Sequence, residues 1–196
     1  MILWINGAFG AGKTTTAFEL HRRIPGSFVY DPENAGYFIR RNAPSHFLLG
    51  DFQDIPLWRK TNYEMLKLIA DQYDGLIIVP MTLVNREYYD EIVTKLIDDG
   101  IDVRHFILYA NKETLKKRLK RRSIGKPDIF ALNSIDRCLE AFDTVITDEK
   151  IITDNKCVDD VLAEIAEKAD IALIPDKRPA VKKLIDRYVT LIKHIR

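Results

Sequence analysis

Short, mostly apolar runs alternate along this chain with longer stretches whose apolar residues recur at helical spacing. The runs at 2–5, 28–30, 76–79, 103–109 and 151–153 read as buried strands. Between them, 15–24 carries Ala17, Leu20 and Ile24 on one helical face, and 33–41 is a second helical stretch closed by Pro44. Pro56 stands at the start of a long helix over 57–73, where its missing N–H costs nothing. Further helices are predicted over 87–96, stopped by Asp99-Gly100, and over 112–122, 134–142, 158–168 and 180–196. The segments 51–56 and 123–128 read as a turn and a flexible break, and Pro175 and Pro179 bracket a linker. Strand and helix in alternation predict an α/β fold, a three-layer sandwich around a five-stranded parallel sheet. Residues 1–176 would form that domain and 177–196 a C-terminal helix. In open α/β sheets ligands sit at the carboxyl ends of strands. That points to 7–14, Asp31, 80–82, 109–112 and 153–155.

Charge changes this picture in one place. The formal net charge is +1, yet residues 177–196 hold seven Lys or Arg and one acidic residue, so the other 176 residues carry about −5. A basic tail on a mildly acidic body calls for an anionic partner. The two cysteines, Cys138 and Cys157, form neither a metal pattern nor a redox pair, which fits a reducing cytoplasm. No apolar run is long enough to span a bilayer, and the first strand starts at Ile2 with no signal peptide ahead of it. No feature points to nucleic acid.

The stretch Gly7-Ala8-Phe9-Gly10-Ala11-Gly12-Lys13-Thr14 fits the P-loop pattern, and it lies between a predicted strand and a predicted helix, as that motif requires. Backbone N–H groups of such a loop cradle phosphates, and the helix start adds unpaired donors. Gly7, Ala8, Phe9, Gly10, Ala11, Gly12, Lys13, Thr14 and Thr15 are therefore the candidate ATP contacts. Lys13 would reach the β- and γ-phosphates and the Thr14 hydroxyl would bind Mg²⁺. Asn111-Lys112-Glu113-Thr114 lacks the final Asp of a guanine reader, so a GTPase is disfavoured. The third strand ends in Pro80-Met81-Thr82 rather than a metal-binding carboxylate, which disfavours a hydrolytic motor.

After the fourth strand comes Leu115-Lys116-Lys117-Arg118-Leu119-Lys120-Arg121-Arg122. This Leu-x-x-Arg-Leu-x-x-Arg run resembles the lid of the nucleoside-monophosphate, shikimate and gluconate kinases, here spanning about 117–130. The resemblance implies that Arg118 and Arg122 close on the phosphates and cancel charge in the transition state. It also implies that an Asp at the end of the second strand, here Asp31 with Glu33 in reserve, orients the acceptor hydroxyl and takes its proton. Asp31-Pro32 is equally a turn and helix start. Arg40 and Arg41 could clamp an anionic substrate. Phe52, Trp58 and Arg59 fall on the acceptor side, and Thr153-Asp154-Asn155 where related kinases contact adenine, with Asn155 the candidate.

Several segments together are more specific. Trp4-Ile5-Asn6-Gly7-Ala8-Phe9-Gly10, Val29-Tyr30-Asp31-Pro32-Glu33, Asp51-Phe52-Gln53 with Pro56-Leu57-Trp58-Arg59, Ile78-Val79-Pro80-Met81-Thr82, Ile135-Asp136-Arg137-Cys138 and the closing His194-Ile195-Arg196 resemble the bacterial tunicamycin-resistance ATP-binding proteins of the TmrB type. The similarity runs over nearly the whole chain. It implies ATP and Mg²⁺ as cofactors and, as partner, a small-molecule substrate, a nucleoside antibiotic bearing sugar hydroxyls. Either phosphoryl transfer to one of those hydroxyls or ATP-dependent sequestration without chemistry is compatible with it.

The tail 180–196 sets Val181, Leu184, Ile185, Tyr188, Ile192 and Ile195 on one face, with Lys182, Lys183, Arg187, Lys193 and Arg196 around the rest. A basic amphipathic helix can lie on an anionic membrane, and the resemblance implies such peripheral attachment at the inner face of the cell membrane. Docking on the domain itself is the alternative.

Overall fold

The computed structural model describes residues 1–44, 50–122 and 128–194, without the side chains of Ile192 and His194. All but Asp128 of the break expected at 123–128, and the final residues Ile195 and Arg196, lie outside the described residues. In chain order the elements are β1 (Ile2–Gly7), α1 (Lys13–Arg23), β2 (Phe28–Val29), α2 (Glu33–Asn42), a 3₁₀ turn (Phe52–Asp54), α3 (Pro56–Gln72), β3 (Ile77–Pro80) and α4 (Arg86–Tyr89). A π-helical turn (Asp90–Thr94), α5 (Lys95–Asp98), β4 (Val103–Tyr109), α6 (Lys112–Arg122), α7 (Ile129–Asn133), α8 (Ile135–Thr144), β5 (Glu149–Ile152), α9 (Val158–Lys168) and α10 (Ala180–His194) follow.

The five strands form one parallel sheet in the order β2-β3-β1-β4-β5. β1 is buried along its whole length because it is the central strand, with β3 on one side and β4 on the other. The connection from β1 runs toward β2, and every later one runs the other way, toward β5. Right-handed crossovers therefore place α1 on one face and the helices between β2 and β5 on the other. Contacts agree: α1 packs against α9 and α10, while α3 packs against the π turn and α6 against α7 and α8.

The expected strands and helices are all present. Two differences have local causes. The helix expected at 87–96 runs from Arg86 to Asp98 and widens into a π turn, within which Thr94 Oγ1 donates to Asp90 Oδ1 at 2.6 Å. The short α7 was not expected; Asp128 caps it by accepting from Ala131 N at 2.9 Å. Among the described residues no helix is long and apolar enough to cross a membrane.

Candidate active site

The site begins where β1 ends. Asn6 is fully buried, and its Oδ1 accepts from Gly7 N at 2.8 Å and Leu83 N at 2.9 Å. Its Nδ2 donates to Leu83 O at 2.8 Å and stands 3.1 Å from His105 Nε2. This side chain ties the start of the P-loop to the segment after β3. Thr82 adds a second tie, with Oγ1 donating to Gly7 O at 2.9 Å. Gly7 has φ 144°, and a Cβ there would stand 2.6 Å from Leu108 O, so only glycine fits between β1 and β4.

Gly12, at φ 107°, starts α1 with no side-chain cap. The first N–H groups of that helix have no intrahelical partner, and an anion is the natural one. Lys13 Nζ donates to Gly7 O at 2.9 Å and Ala8 O at 3.2 Å, and lies over the Phe9 ring. Burial lowers its pKa to about 8, an effect opposed by Cys138 and Glu33 and helped by Arg122. The loop, the uncapped helix start and the inward ammonium fit a nucleotide triphosphate. Among the described residues no group of three or more His, Cys, Asp or Glu could hold a metal. A Mg²⁺ ion would thus depend on Thr14, phosphate oxygens and water, as the missing β3 carboxylate implied.

A cavity of about 620 Å³ extends from this loop. Lys13, Thr14, Thr15, Asp31, Arg40, Phe52, Arg118 and Arg122 all line it, so residues from α1, the segment after β2, α2, the 3₁₀ turn and α6 converge on one space. Asp31 serves two purposes: it faces the cavity while its Oδ1 accepts from Glu33 N at 3.0 Å to start α2. Glu33 is also at the cavity, with its pKa raised by burial and by the charge of Asp31, and it accepts a 3.1 Å hydrogen bond from Tyr37. Arg40 donates to Gly50 O at 2.7 Å and stacks over the Phe52 ring, which also lines the cavity.

Four of the expected site residues make other contacts or lie elsewhere in this structure. Trp58 is fully buried, donates from Nε1 to Pro32 O at 3.0 Å and packs against Phe52. It supports the cavity wall and does not face a substrate. Arg59 is buried too, because Glu91 at 2.7 Å, Gln53 O at 2.7 Å and the Tyr88 ring occupy its guanidinium. Through Gln53, which donates to Thr82 O at 3.0 Å, Arg59 braces the wall from behind. Arg118 lines the cavity yet donates to Thr153 Oγ1 at 2.9 Å, Thr153 O at 2.8 Å and Ala11 O at 3.4 Å. In this structure it clamps the P-loop to the end of β5. Asn155 sits exposed in the following turn at φ 57°, outside the cavity lining. Ala8 and Ala11 are buried in the back of the loop.

Asn111 caps α6 through Thr114 N and binds both oxygens of Asp154, and Lys112 pairs with Asp136. These residues are committed to structure and not to reading a guanine. The sequence did not single out Asn6, Gln53, Phe130 or Leu191. Phe130 packs edge-on against Phe9 at 5.6 Å, and Leu191 of α10 reaches the cavity. Asn6 and Gln53 left a trace only as members of the segments that carry the family resemblance.

The P-loop on the central strand, the basic helix after β4 and the acidic strand end after β2 define a small P-loop fold of the nucleoside-monophosphate- and shikimate-kinase kind. No protein-family model matches the chain, and comparison with curated proteins gives no match. Solved structures do match. The chain is similar to the tunicamycin resistance protein of Deinococcus radiodurans, at 29% identity and a TM-score of 0.74, over 89% of this chain and 99% of that one. It is similar in fold to a sugar kinase from Janibacter sp. HTCC2649, at 22% identity and a TM-score of 0.60 over 87% and 95% of the two chains. A shikimate kinase from Bacteroides thetaiotaomicron shares the fold at 18% identity and a TM-score of 0.56, over 87% and 99%. The resemblance read in the sequence, to tunicamycin-resistance proteins and the small P-loop kinases, is borne out.

Proposed function

We propose that this chain transfers the γ-phosphoryl group of ATP to a hydroxyl of a small molecule, an antibiotic of the tunicamycin kind. The observation that carries the reading is the convergence of Lys13, Asp31 and Arg122 on one cavity that also holds the uncapped start of α1. The N–H groups at that start and Lys13 hold the β- and γ-phosphates. Asp31 accepts the proton of the acceptor hydroxyl as its oxygen bonds to the γ-phosphorus. The bond from that phosphorus to the β,γ-bridging oxygen breaks, and its electron pair leaves on ADP. Arg122, whose charge already reaches Lys13 and Glu33, offsets the charge that develops on the transferring group. A Mg²⁺ ion held by Thr14 would supply further charge neutralisation. Asp31→Asn tests the reading: transfer should collapse while nucleotide affinity is kept.

Arg118 supports a second reading. Its guanidinium is occupied by Thr153 and Ala11, so it contributes to holding the nucleotide loop rather than to the transferring group. That suits ATP-dependent sequestration of the drug without chemistry. Unmodified drug bound more tightly in the presence of ATP would be its signature.

Membrane attachment through basic residues finds less support. Arg178 pairs with Glu19, Asp176 and Asp186, Lys183 with Asp159 and Asp176, and Arg187 with Glu19 and Asp159. Lys183 and Arg187 of the basic face expected to meet anionic lipid are thus neutralised against the protein's own domain, whereas Lys182 and Lys193 are exposed.

A further inference from the structure

His105 is a buried ring behind the P-loop that phosphoryl transfer leaves unused. It stands on β4 with its side chain 3% exposed, and its Nε2 lies 3.1 Å from Asn6 Nδ2. Asn6 Oδ1 is already held by two backbone donors, Gly7 N and Leu83 N, which fixes the way the amide faces. Nδ2 therefore turns its hydrogens to Leu83 O and to His105. An amide N–H cannot accept, so Nε2 must, and the proton of the neutral ring lies on Nδ1.

That Nδ1 faces Asp148 Oδ2 at 3.5 Å and has no hydrogen-bond partner. Tyr89 of α4 stands edge-on to the ring at 5.2 Å and donates to Asp148 Oδ1 at 3.2 Å. Arg86, over the Tyr89 ring, pairs with Asp90. The Asp148 pKa is lowered, burial opposing and the contacts with His105 and Tyr89 prevailing, so it stays ionised down to about pH 5. Tyr89 keeps its proton, its pKa raised by burial and by Asp148.

Asp148 attracts a second proton to the ring, and the Asn6 N–H opposes one. A proton on Nε2 would set two donors against each other. Asn6 cannot turn over to accept it without leaving the N–H groups of Gly7 and Leu83, both buried, unpaired. Gly7 also carries the carbonyl that takes Lys13 Nζ and Thr82 Oγ1. We infer that His105, as its Nδ1–H tautomer, positions the P-loop through Asn6, and that a second proton on the ring unseats Gly7 and weakens nucleotide binding. His105 is thus a positioning residue, held in turn by Asp148 and Tyr89. The inference goes beyond phosphoryl transfer and rests only on nucleotide binding at the loop.

The test uses the full chain, labelled with ¹⁵N. In the free protein at pH 7, the His105 ring should show a protonated Nδ1 and a bare, hydrogen-bonded Nε2. As the pH is lowered to 5, the ring and the Gly7 amide should titrate with one midpoint. Calorimetric affinity for a non-hydrolysable ATP analogue with Mg²⁺ should weaken about tenfold over the same range, as loss of one buried hydrogen bond requires. His105→Gln offers Asn6 an acceptor that takes no proton; it should keep the affinity at pH 7 and lose that acid weakening. His105→Leu offers none and should bind about tenfold more weakly already at pH 7. Protonation of the nucleotide itself is common to all three proteins and drops out of the comparison. An Nε2–H tautomer, a Gly7 amide that ignores the ring, or an acid weakening that His105→Gln retains overturns the inference. So does a Gln variant as weak as the Leu variant, since His105 would then only fill space. An analogue that fails to bind at pH 7 sinks the nucleotide reading alone, because the ring and the Gly7 amide are read without it.

Discussion

Lys13 sets a pH limit on nucleotide binding. Burial lowers its pKa to about 8 in the free protein, below its ordinary 10.5. Phosphate oxygens favour the charged form and would raise that value on binding. Affinity for ATP should therefore be flat from pH 7 to 8 and fall as pH rises past it, approaching tenfold per unit while the bound lysine stays protonated. Calorimetric titrations from pH 7 to 9.5 check this, and a flat profile contradicts it. The neighbouring carboxylate carries a different expectation. Asp31→Asn should lower turnover by about a hundred- to ten-thousand-fold with little change in nucleotide affinity, read from steady-state rates beside a binding titration. Lys13 and Asp31 were legible because motif and strand-end position name them. Asn6 was not, since Leu83 and His105 lie 77 and 99 residues away in sequence and only the parallel sheet brings them to it.

Helices α10 and α2 show what pattern can and cannot tell about an element. The periodicity of 180–196 gives a helix, and its apolar stripe suggests which face to bury. The structure buries the other face because Glu19, on the neighbouring helix, collects Arg178 and Arg187. A lone Glu in α1 carries no sequence sign of that role. Glu19→Ala should cost about 1–3 kcal/mol in urea denaturation, because Arg178 and Arg187 lose their buried partner while keeping Asp176, Asp186 and Asp159. Removing Arg178 as well should cost less than the two single losses combined. Additive losses would mean that the pair is not coupled. In α2, Gly36 leaves room for the Phe52 ring; a Cβ there would stand 2.6 Å from its Cγ. Gly36→Ala should displace Phe52, cost about 1–3 kcal/mol by overpacking and raise the acceptor KM. The nucleotide Kd should not move, and a change confined to Kd would place Phe52 on the wrong side of the site.

At the level of the molecule, strand–helix alternation was enough to predict the parallel sheet, and the P-loop marked the first strand, which the structure puts at the centre. The β2-β3-β1-β4-β5 order then brings the P-loop after β1, the segment after β2 and the C-terminal half of α6 to one cavity. The acceptor side was less legible. Phe52 and Arg40 line the cavity as expected, but Trp58 and Arg59 form its supporting wall, since buried hydrogen-bond partners outcompete solvent for their polar atoms. Sequence position alone cannot tell a wall from its lining. The central claim remains that the cavity performs phosphoryl transfer. Its direct test is mass spectrometry of tunicamycin incubated with ATP, Mg²⁺ and the purified protein, beside Lys13→Ala. A drug species heavier by one phosphoryl group, formed by the intact protein and absent with Lys13→Ala, is the expected result. Unmodified drug, bound more tightly when ATP is present, would contradict it and leave the protein a nucleotide-gated sink for the antibiotic.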